Sequence, residues 1–469
     1  MTKNLSIIFL LFIICILSAC NKEININKNN DTIINLEIAP NKNNALRQKV
    51  TFTTVSKTSC KIEYWKSDNL NCKQSSAISP IDIEHTITLL FLEPNTNYSF
   101  KILTTDNKQI CDSIYSFKTK ALEEEIDNFV KKVITNEYDF DGYLLYSSKT
   151  LDYHVMINSN MKPVWYENFY PLPSSSARYN SKTEELSFMY GKAEERFCST
   201  DIAAVDLYGN LVMHNSKENL PYPLLHHDIY QLSNGNWAYI NFIDKEYDFS
   251  PLGVDSLYNV RGDGITEIDR DGKVVWQWNA FDHSSPLDDP EILNANGPFG
   301  SLSVRGDWMH ANSIAEDING DIYVSFNRLE QFWKIDKESG EVIYKLGRGG
   351  DIKLSEEAIP SFIHSLSLLD NGDIMFYENG TSKRGYSRVL AYRVNEEDKT
   401  AELVKNIKLP ASLTSFFQSS VYMIDNSHIL VHSSNKNNTA ILDCNGKIVW
   451  QIEVGDNSFR AQYIPKISL

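Results

Sequence analysis

The sequence predicts an all-β protein, a six-bladed β-propeller preceded by a small N-terminal β-sandwich. Two observations carry the propeller. In residues 307–347, DWMHANSIAEDINGDIYVSFNRLEQFWKIDKESGEVIYKLG, apolar residues alternate between turn residues, as in Ile322/Val324/Phe326 and Val342/Tyr344/Leu346. This is the pattern of antiparallel hairpins. The half-motif IDKESGEVIYKL also has relatives: INSNMKPVWYE from Ile157, VDLYGNLVMH from Val205, IDRDGKVVWQW from Ile268, VNEEDKTAELV from Val394 and LDCNGKIVWQI from Leu442. Six copies recurring at intervals of about fifty to seventy residues signal a toroidal repeat. The third observation concerns residues 35–120, where KVTFTTV, CKIEYW, HTITLLFL, YSFKILTT and SIYSFKTK alternate between polar turns, as sandwich strands do.

The chain begins with an address. Residues 1–20 carry Lys3, an apolar run from Ile7 to Leu17 and then Leu-Ser-Ala-Cys. That is a secretory signal ending in a lipobox, with Cys20 the residue to be lipidated. The run is short for a bilayer and has no basic stop-transfer flank, which argues against a transmembrane helix. The expected location is the bacterial cell envelope, anchored by lipid only and facing either the periplasm or the cell surface. Residues 21–34 are rich in Asn and Lys and read as a flexible tether.

Within the sandwich, Leu92-Glu-Pro-Asn-Thr-Asn-Tyr98 resembles the tyrosine corner of fibronectin III/Ig-like domains, in which the hydroxyl ties a strand to nearby backbone. Cys60 and Cys72 lie on one hairpin and form a candidate disulfide in an oxidising compartment. His85 has no partner motif and reads as a surface residue. Residues 121–140 read as a connecting helix, since Leu122, Ile126, Phe129, Val130 and Val133 share a helical face, with acids early and lysines late. The propeller then occupies residues 141–469. Closure of such a ring removes exposed sheet edges and predicts that Ile448–Val454 pairs near the opening strands.

The 469 residues, 42% of them hydrophobic, suffice for a large core and a second small domain. A formal net charge of −16 argues against nucleic acid as a partner. It also means that an anionic substrate needs cations placed locally against the overall field. The pattern G-x-x-x-x-G-K-[ST] is missing, so nothing suggests a nucleotide-phosphate cradle. No cofactor and no metal site is expected, and the oligomeric state stays open between monomer and homodimer.

Three repeats place a histidine at a matching register. Counting back from the turn glycine, His227 and His364 stand eight residues before Gly235 and Gly372, and His310 stands ten before Gly320. Even offsets share a strand face. His226 falls on the other parity, although a bulge would reverse the order. The next repeat offers Ser419 at this position, and Asn312 shares a face with His310. First strands line the channel of a propeller, so these side chains converge on one axial spot. Arg328 closes the strand after His310 and returns to the same mouth. Three imidazoles admit a zinc site, but an arginine beside a dication is electrostatically awkward. An anionic tetrahedral group fits better: guanidinium and imidazolium donors hold its oxygens while one neutral imidazole attacks.

The segments HHDIYQLSNGNW, DWMHANSIAED, VSFNRLEQFWKIDKESGEVIYKLG, FIHSLSLLDNGDIMFYENG and SRVLAYRVNEEDKTAELV together resemble the bacterial arylsulfotransferases, which use aryl sulfates in place of the nucleotide donor PAPS. The resemblance covers nearly the whole mature chain and implies the same sandwich and six-bladed propeller. It implies that His364 is the histidine transiently sulfated in a ping-pong route. His310 matches the residue that assists proton transfer and holds sulfuryl oxygens, Arg328 the sulfate clamp, and the HHD motif supplies His227 as the remaining catalytic histidine. Asn312, Ser419 and His226 are expected to contact substrate. The reaction so implied moves a sulfuryl group from a phenolic sulfate donor to an acceptor phenol. The residues themselves leave two rivals open: a non-catalytic ligand-binding lipoprotein on the same scaffold, and a metallo-hydrolase using the three histidines. Trp308 is a candidate for the aromatic mouth, set against a role in core packing.

Overall fold

The structure is a computed structural model describing residues 33–41, 44–147, 153–168, 174–191, 198–222, 224–254, 257–289, 307–455, 457–467 and 469. The signal segment, Cys20 and most of the tether lie outside the described residues. Among the described residues no helix is long and apolar enough to cross a membrane. The chain is all-β, and its described strands form eight sheets with antiparallel pairing.

Two of these sheets precede the rest. One contains Ile33–Asn41, Asn44–Thr58 and Asp82–Leu89; the other contains Gln74–Ser75, Cys60–Lys66, Asn97–Thr104 and Tyr115–Lys118. Their inward residues, among them Val50, Phe52, Ile62, Tyr64, Leu89, Phe100 and Ile102, share one core. The Tyr98 hydroxyl accepts the Glu93 N–H at 2.8 Å, a buried tie between turn and strand. His85 corrects the surface expectation. Strand alternation turns it inward, where it stacks on Phe52 and its ring nitrogens meet Ser79 Oγ at 2.9 Å and Thr54 Oγ1 at 3.2 Å. Cys60 is buried and Cys72 exposed, and the two thiols are not joined.

The connecting helix is also corrected. Only Glu124–Asp127 is helical. Val130–Asn136 is a strand hydrogen-bonded along Ile448–Val454. Its β-branched residues Val130, Val133, Ile134 and Thr135 favour a pleated edge, and the pairing covers the outer edge of that sheet. Ile448–Val454 therefore meets the segment read as helix. Ring closure falls instead to Ala461–Pro465, which pairs with Gly142–Ser147.

Six sheets follow, and each contributes one inner strand: Ser174–Asn180, Leu225–Gln231, Ala311–Glu316, Ile363–Leu368, Ser420–Asp425 and Ala461–Pro465. Every inner strand contacts the next, and the last contacts the first, which makes a propeller-like ring. Neighbouring sheets pack face to face through large apolar side chains. Trp333 packs against Trp278 and Phe326 between two sheets, and Trp165, Trp237 and Trp450 are fully buried elsewhere in the ring. The recurrent half-motif has a local cause. Asp206, Asp269 and Asp443 each accept two backbone N–H groups across its turn, beside Gly209, Gly272 and Gly446 at positive φ, and Asp317 with Gly320 does the same in the turn after an inner strand.

Candidate active site

The inner strands begin irregularly. Pairing registers break between Leu225 and Ile229, between Ala311 and Ser313, and between His364 and Ser367. At these starts His227, His310, Ser365, Gln418 and Ser419 adopt φ of 61°, 58°, 55°, 55° and 84°. Bulges of this kind re-aim side chains next to functional sites.

They bring His227, His310, Arg328 and His364 together. The His227 and His310 rings lie 4.5 Å apart, nearly edge to face. His310 Nδ1 is hydrogen-bonded to the Asp307 carboxylate. Arg328 donates to the Asp307 backbone carbonyl, and its Nη2 stands 3.7 Å from the same carboxylate. The His364 imidazole is buried, with Nδ1 2.5 Å from Asn379 Oδ1, and Nε2 accepts the Gln418 backbone N–H at 3.2 Å. Phe459 adds an aromatic wall 5.8 Å from the His227 ring.

Burial and like charge set the protonation here. Burial holds the His227 imidazole well below its ordinary pKa, and positive charge on His310, His226, His364 and Arg460 adds to the effect. Burial likewise lowers Arg328, although Asp307 and Asp263 oppose it. Burial alone would raise the Asp307 carboxyl, yet His310 and Arg328 outweigh it and hold the group below the usual carboxylate range.

His226 sits behind His227. It is buried, stacked on Phe242 at 3.8 Å, and its Nε2 lies at ion-pair distance, 3.0 Å, from Asp263 Oδ1. The Nδ1 atoms of the two histidines are 2.8 Å apart, so His226 braces its neighbour. Two expected substrate contacts are corrected. The buried Asn312 amide donates to the Ile363 carbonyl at 2.7 Å and accepts from Ser325 Oγ at 2.8 Å, which ties adjacent inner strands together. Ser419 is buried as well, with Oγ accepting the Ser434 N–H at 3.1 Å and donating to the Phe417 carbonyl at 3.3 Å. Both side chains are hydrogen-bonded within the fold. Trp308 is buried against Phe281 and belongs to the core.

Asp228, the acid of the His226-His227-Asp228 run, serves elsewhere. It is fully buried, bound by both Arg178 nitrogens at 2.9 and 2.8 Å and by Arg460 Nη1 at 2.8 Å. Arg178 also lines, with Tyr230 and Tyr422, a cavity of about 530 Å³. The carboxylates that do face histidines are Asp307 and Asp263, and Asn379 faces the third. Asp307, three residues before His310, and Asn379, in Glu-Asn-Gly, stand in segments singled out from the sequence. Arg460 had no such signal, since the closing strand brings it in from the far end of the chain.

Among the described residues, no group of three or more His, Cys, Asp or Glu side chains is arranged to hold a metal ion. Cations and a neutral imidazole around a small space suit attack on the ester of a tetrahedral oxyanion. That constellation stands where the inner strands of a propeller-like ring of sheets begin, a placement suited to group transfer. A family model described as Arylsulfotransferase (ASST) matches residues 138–463, and the chain belongs to this family of sulfotransferase enzymes. No curated protein matches the sequence.

Solved structures resemble the chain only distantly. A protein of unknown function from Bacteroides caccae is 15% identical, covering 69% of this chain and 99% of that one, with a TM-score of 0.43. A streptogramin B lyase is 12% identical, covering 71% and 85%, with a TM-score of 0.40. A catalytically inactive virginiamycin B lyase from Staphylococcus aureus, crystallised with quinupristin, is 13% identical, covering 71% and 88%, with a TM-score of 0.38. These likenesses have no bearing on function.

Proposed function

We propose that this protein transfers a sulfuryl group from a phenolic sulfate ester to an acceptor phenol through a sulfohistidine at His364, without PAPS. In this reading the ring is a six-bladed propeller, the N-terminal pair of sheets is a sandwich acting as spacer, and a lipid on Cys20 anchors the enzyme in the cell envelope. The observation that carries it is His364 itself. Its Nε2 accepts a backbone N–H and so bears a lone pair, and the ring is near enough to His227, which stands against His310, for charge on it to act on that imidazole.

In the first half-reaction the Nε2 lone pair attacks sulfur. The N–S bond forms as the bond from sulfur to the aryl oxygen breaks, and phenolate leaves with the electron pair. A proton from His310 helps it depart, a modest requirement for so good a leaving group. Arg328 and the imidazoles hold the three sulfuryl oxygens as charge redistributes. The donor displaces the Gln418 N–H from Nε2, and that amide then lies close enough to donate to a sulfuryl oxygen. In the second half-reaction an acceptor phenol oxygen attacks sulfur, the N–S pair returns to Nε2, and the phenol proton passes to a neighbouring imidazole. Phe416 and Phe417, 51% and 44% exposed directly before Gln418, supply apolar surface for the aryl ring together with Phe459.

The test is intact-mass analysis of the soluble domain, lacking Cys20, after mixing with 4-nitrophenyl sulfate and no acceptor. The expected result is a gain of about one SO₃ group mapped to His364 and lost in His364→Ala. If neither an adduct nor phenol release appears across a donor panel, the proposal fails and the scaffold is a binding protein.

A further inference from the structure

We infer that Asn379 is a positioning residue that fixes His364 in the tautomer carrying its proton on Nδ1 and its lone pair on Nε2. The inference rests on the reading of His364 as nucleophile, but it is argued from hydrogen bonds alone.

The two ends of an Asn amide are ordinarily interchangeable by eye. Here they are not. Asn379 Nδ2 donates to two backbone carbonyls, Ser415 at 2.9 Å and Gln418 at 3.2 Å. Both amide hydrogens are thus engaged on that side, which leaves Oδ1 against His364 Nδ1 at 2.5 Å. A carboxamide oxygen only accepts, so Nδ1 must carry the hydrogen. The other end of the ring gives the same answer independently. The Gln418 N–H can only donate, so Nε2 must be unprotonated. Asn327 Nδ2 donates to the Ile363 carbonyl at 2.9 Å and stands 3.4 Å from Nδ1, a contact outweighed by the 2.5 Å bond between Nδ1 and Asn379 Oδ1.

Asn379 is itself held in place. Its N–H donates to the Phe362 carbonyl at 3.0 Å, and its carbonyl accepts from Ser387 Oγ at 2.9 Å. The preceding Glu378 is fully buried and gripped by Arg384 and Arg388. An amide at this position does something a carboxylate would not. It orients the ring and accepts its proton without adding a negative charge that would favour imidazolium and remove the attacking lone pair. His310 shows the contrast, since Asp307 occupies the corresponding place on its Nδ1. Retaining the Nδ1 hydrogen also leaves the ring cationic once Nε2 is sulfated, which makes imidazole a better leaving group for the second transfer.

The experiment is ¹⁵N NMR of the soluble domain labelled at histidine, with the His364 ring assigned by its loss in His364→Gln. Wild type is expected to show Nδ1 protonated and Nε2 unprotonated at neutral pH. Asn379→Asp, which keeps the shape, is expected to show both nitrogens protonated. It should also lower kcat for 4-nitrophenyl sulfate by about tenfold or more, with donor KM changed by less than about threefold. A purely structural role would not move the ring's protonation. Asn379→Leu leaves only the Gln418 N–H to favour Nδ1–H and should show a mixture of the two tautomers; if that variant does not fold, the wild-type and Asp spectra still decide. An Nε2–H tautomer in wild type, or a ring in Asn379→Asp identical to wild type, overturns the inference. Spectra as expected without any sulfuryl transfer would overturn the functional reading and leave this one standing.

Discussion

Where the inner strands begin, His227, His310, Ser365, Gln418 and Ser419 hold positive φ and the pairing registers break. Where they end, positive φ at the turns falls on Gly235, Gly320 and Gly372, and carboxylates of the Asp317 type close the loops. Between the two ends, Arg178 and Arg460 neutralise Asp228. A non-glycine residue in a sparsely populated conformation costs about 1–3 kcal/mol and persists only where its surroundings over-determine it. One end of the ring therefore spends stability to aim side chains, and the ionic cluster below it supplies rigidity. Arg328 and the imidazoles gather at the strained end, where Asp307 and Asp263 are the carboxylates that face them among the described residues.

The largest test of this contrast is His364→Ala. Turnover of an aryl sulfate is expected to fall on the order of 10⁴-fold, with the melting temperature little changed, because the residue belongs to the strained end. Retained turnover would move the chemistry elsewhere. Asp228→Asn should do the reverse. It leaves Arg178 and Arg460 buried without their counter-charge, and the expected loss is about 3–5 kcal/mol in denaturant unfolding. If stability hardly changes, the cluster is not what stiffens the ring. Arg328→Ala should lower kcat about 10²- to 10³-fold, the usual effect of removing one donor to developing charge.

Acid should probe the same division by stability. Folding depresses the His227 pKa, so below about pH 6.5 the unfolded chain binds a proton that the folded chain refuses. Stability then falls as pH drops, with a limiting slope of about 1.4 kcal/mol per unit. The depressed Asp307 carboxyl contributes stability above its unfolded pKa and loses it as pH falls through its lower folded value, in a more acid window. His227→Gln should flatten the melting-temperature profile between pH 7 and 5; an unchanged slope there would assign the effect to other groups. The smallest effect belongs outside the ring. Tyr98→Phe removes one buried hydrogen bond, with an expected cost of about 1 kcal/mol and no change in kcat.

The repeats, the alternation within strands and the three histidines were legible in the sequence because they are local. A turn aspartate binds amides two and four residues ahead, and a histidine's offset from its turn glycine needs no distant partner. The tyrosine corner is legible for the same reason, since Tyr98 meets backbone five residues upstream. What was not legible depends on a partner remote in sequence. Residues 130–136 satisfy a helical pattern, but the open edge of Ile448–Val454 makes them a strand. Asn312 and Ser419 stand at the right register, but Asn312 bonds to Ile363 and Ser419 to Ser434, partners that only the assembled sheets bring to them.

Arg460 reaches Asp228 across 232 positions, so no window of sequence contains the pair. By itself, then, the sequence determined the all-β class, the repeat and which imidazoles are in play, through short-range periodicity and turn chemistry. Only the tertiary structure decided which of His226 and His227 faces His310, which groups stand behind each ring, and where the proton on His364 sits. Those are set by hydrogen bonds between strands that meet only once the ring has closed.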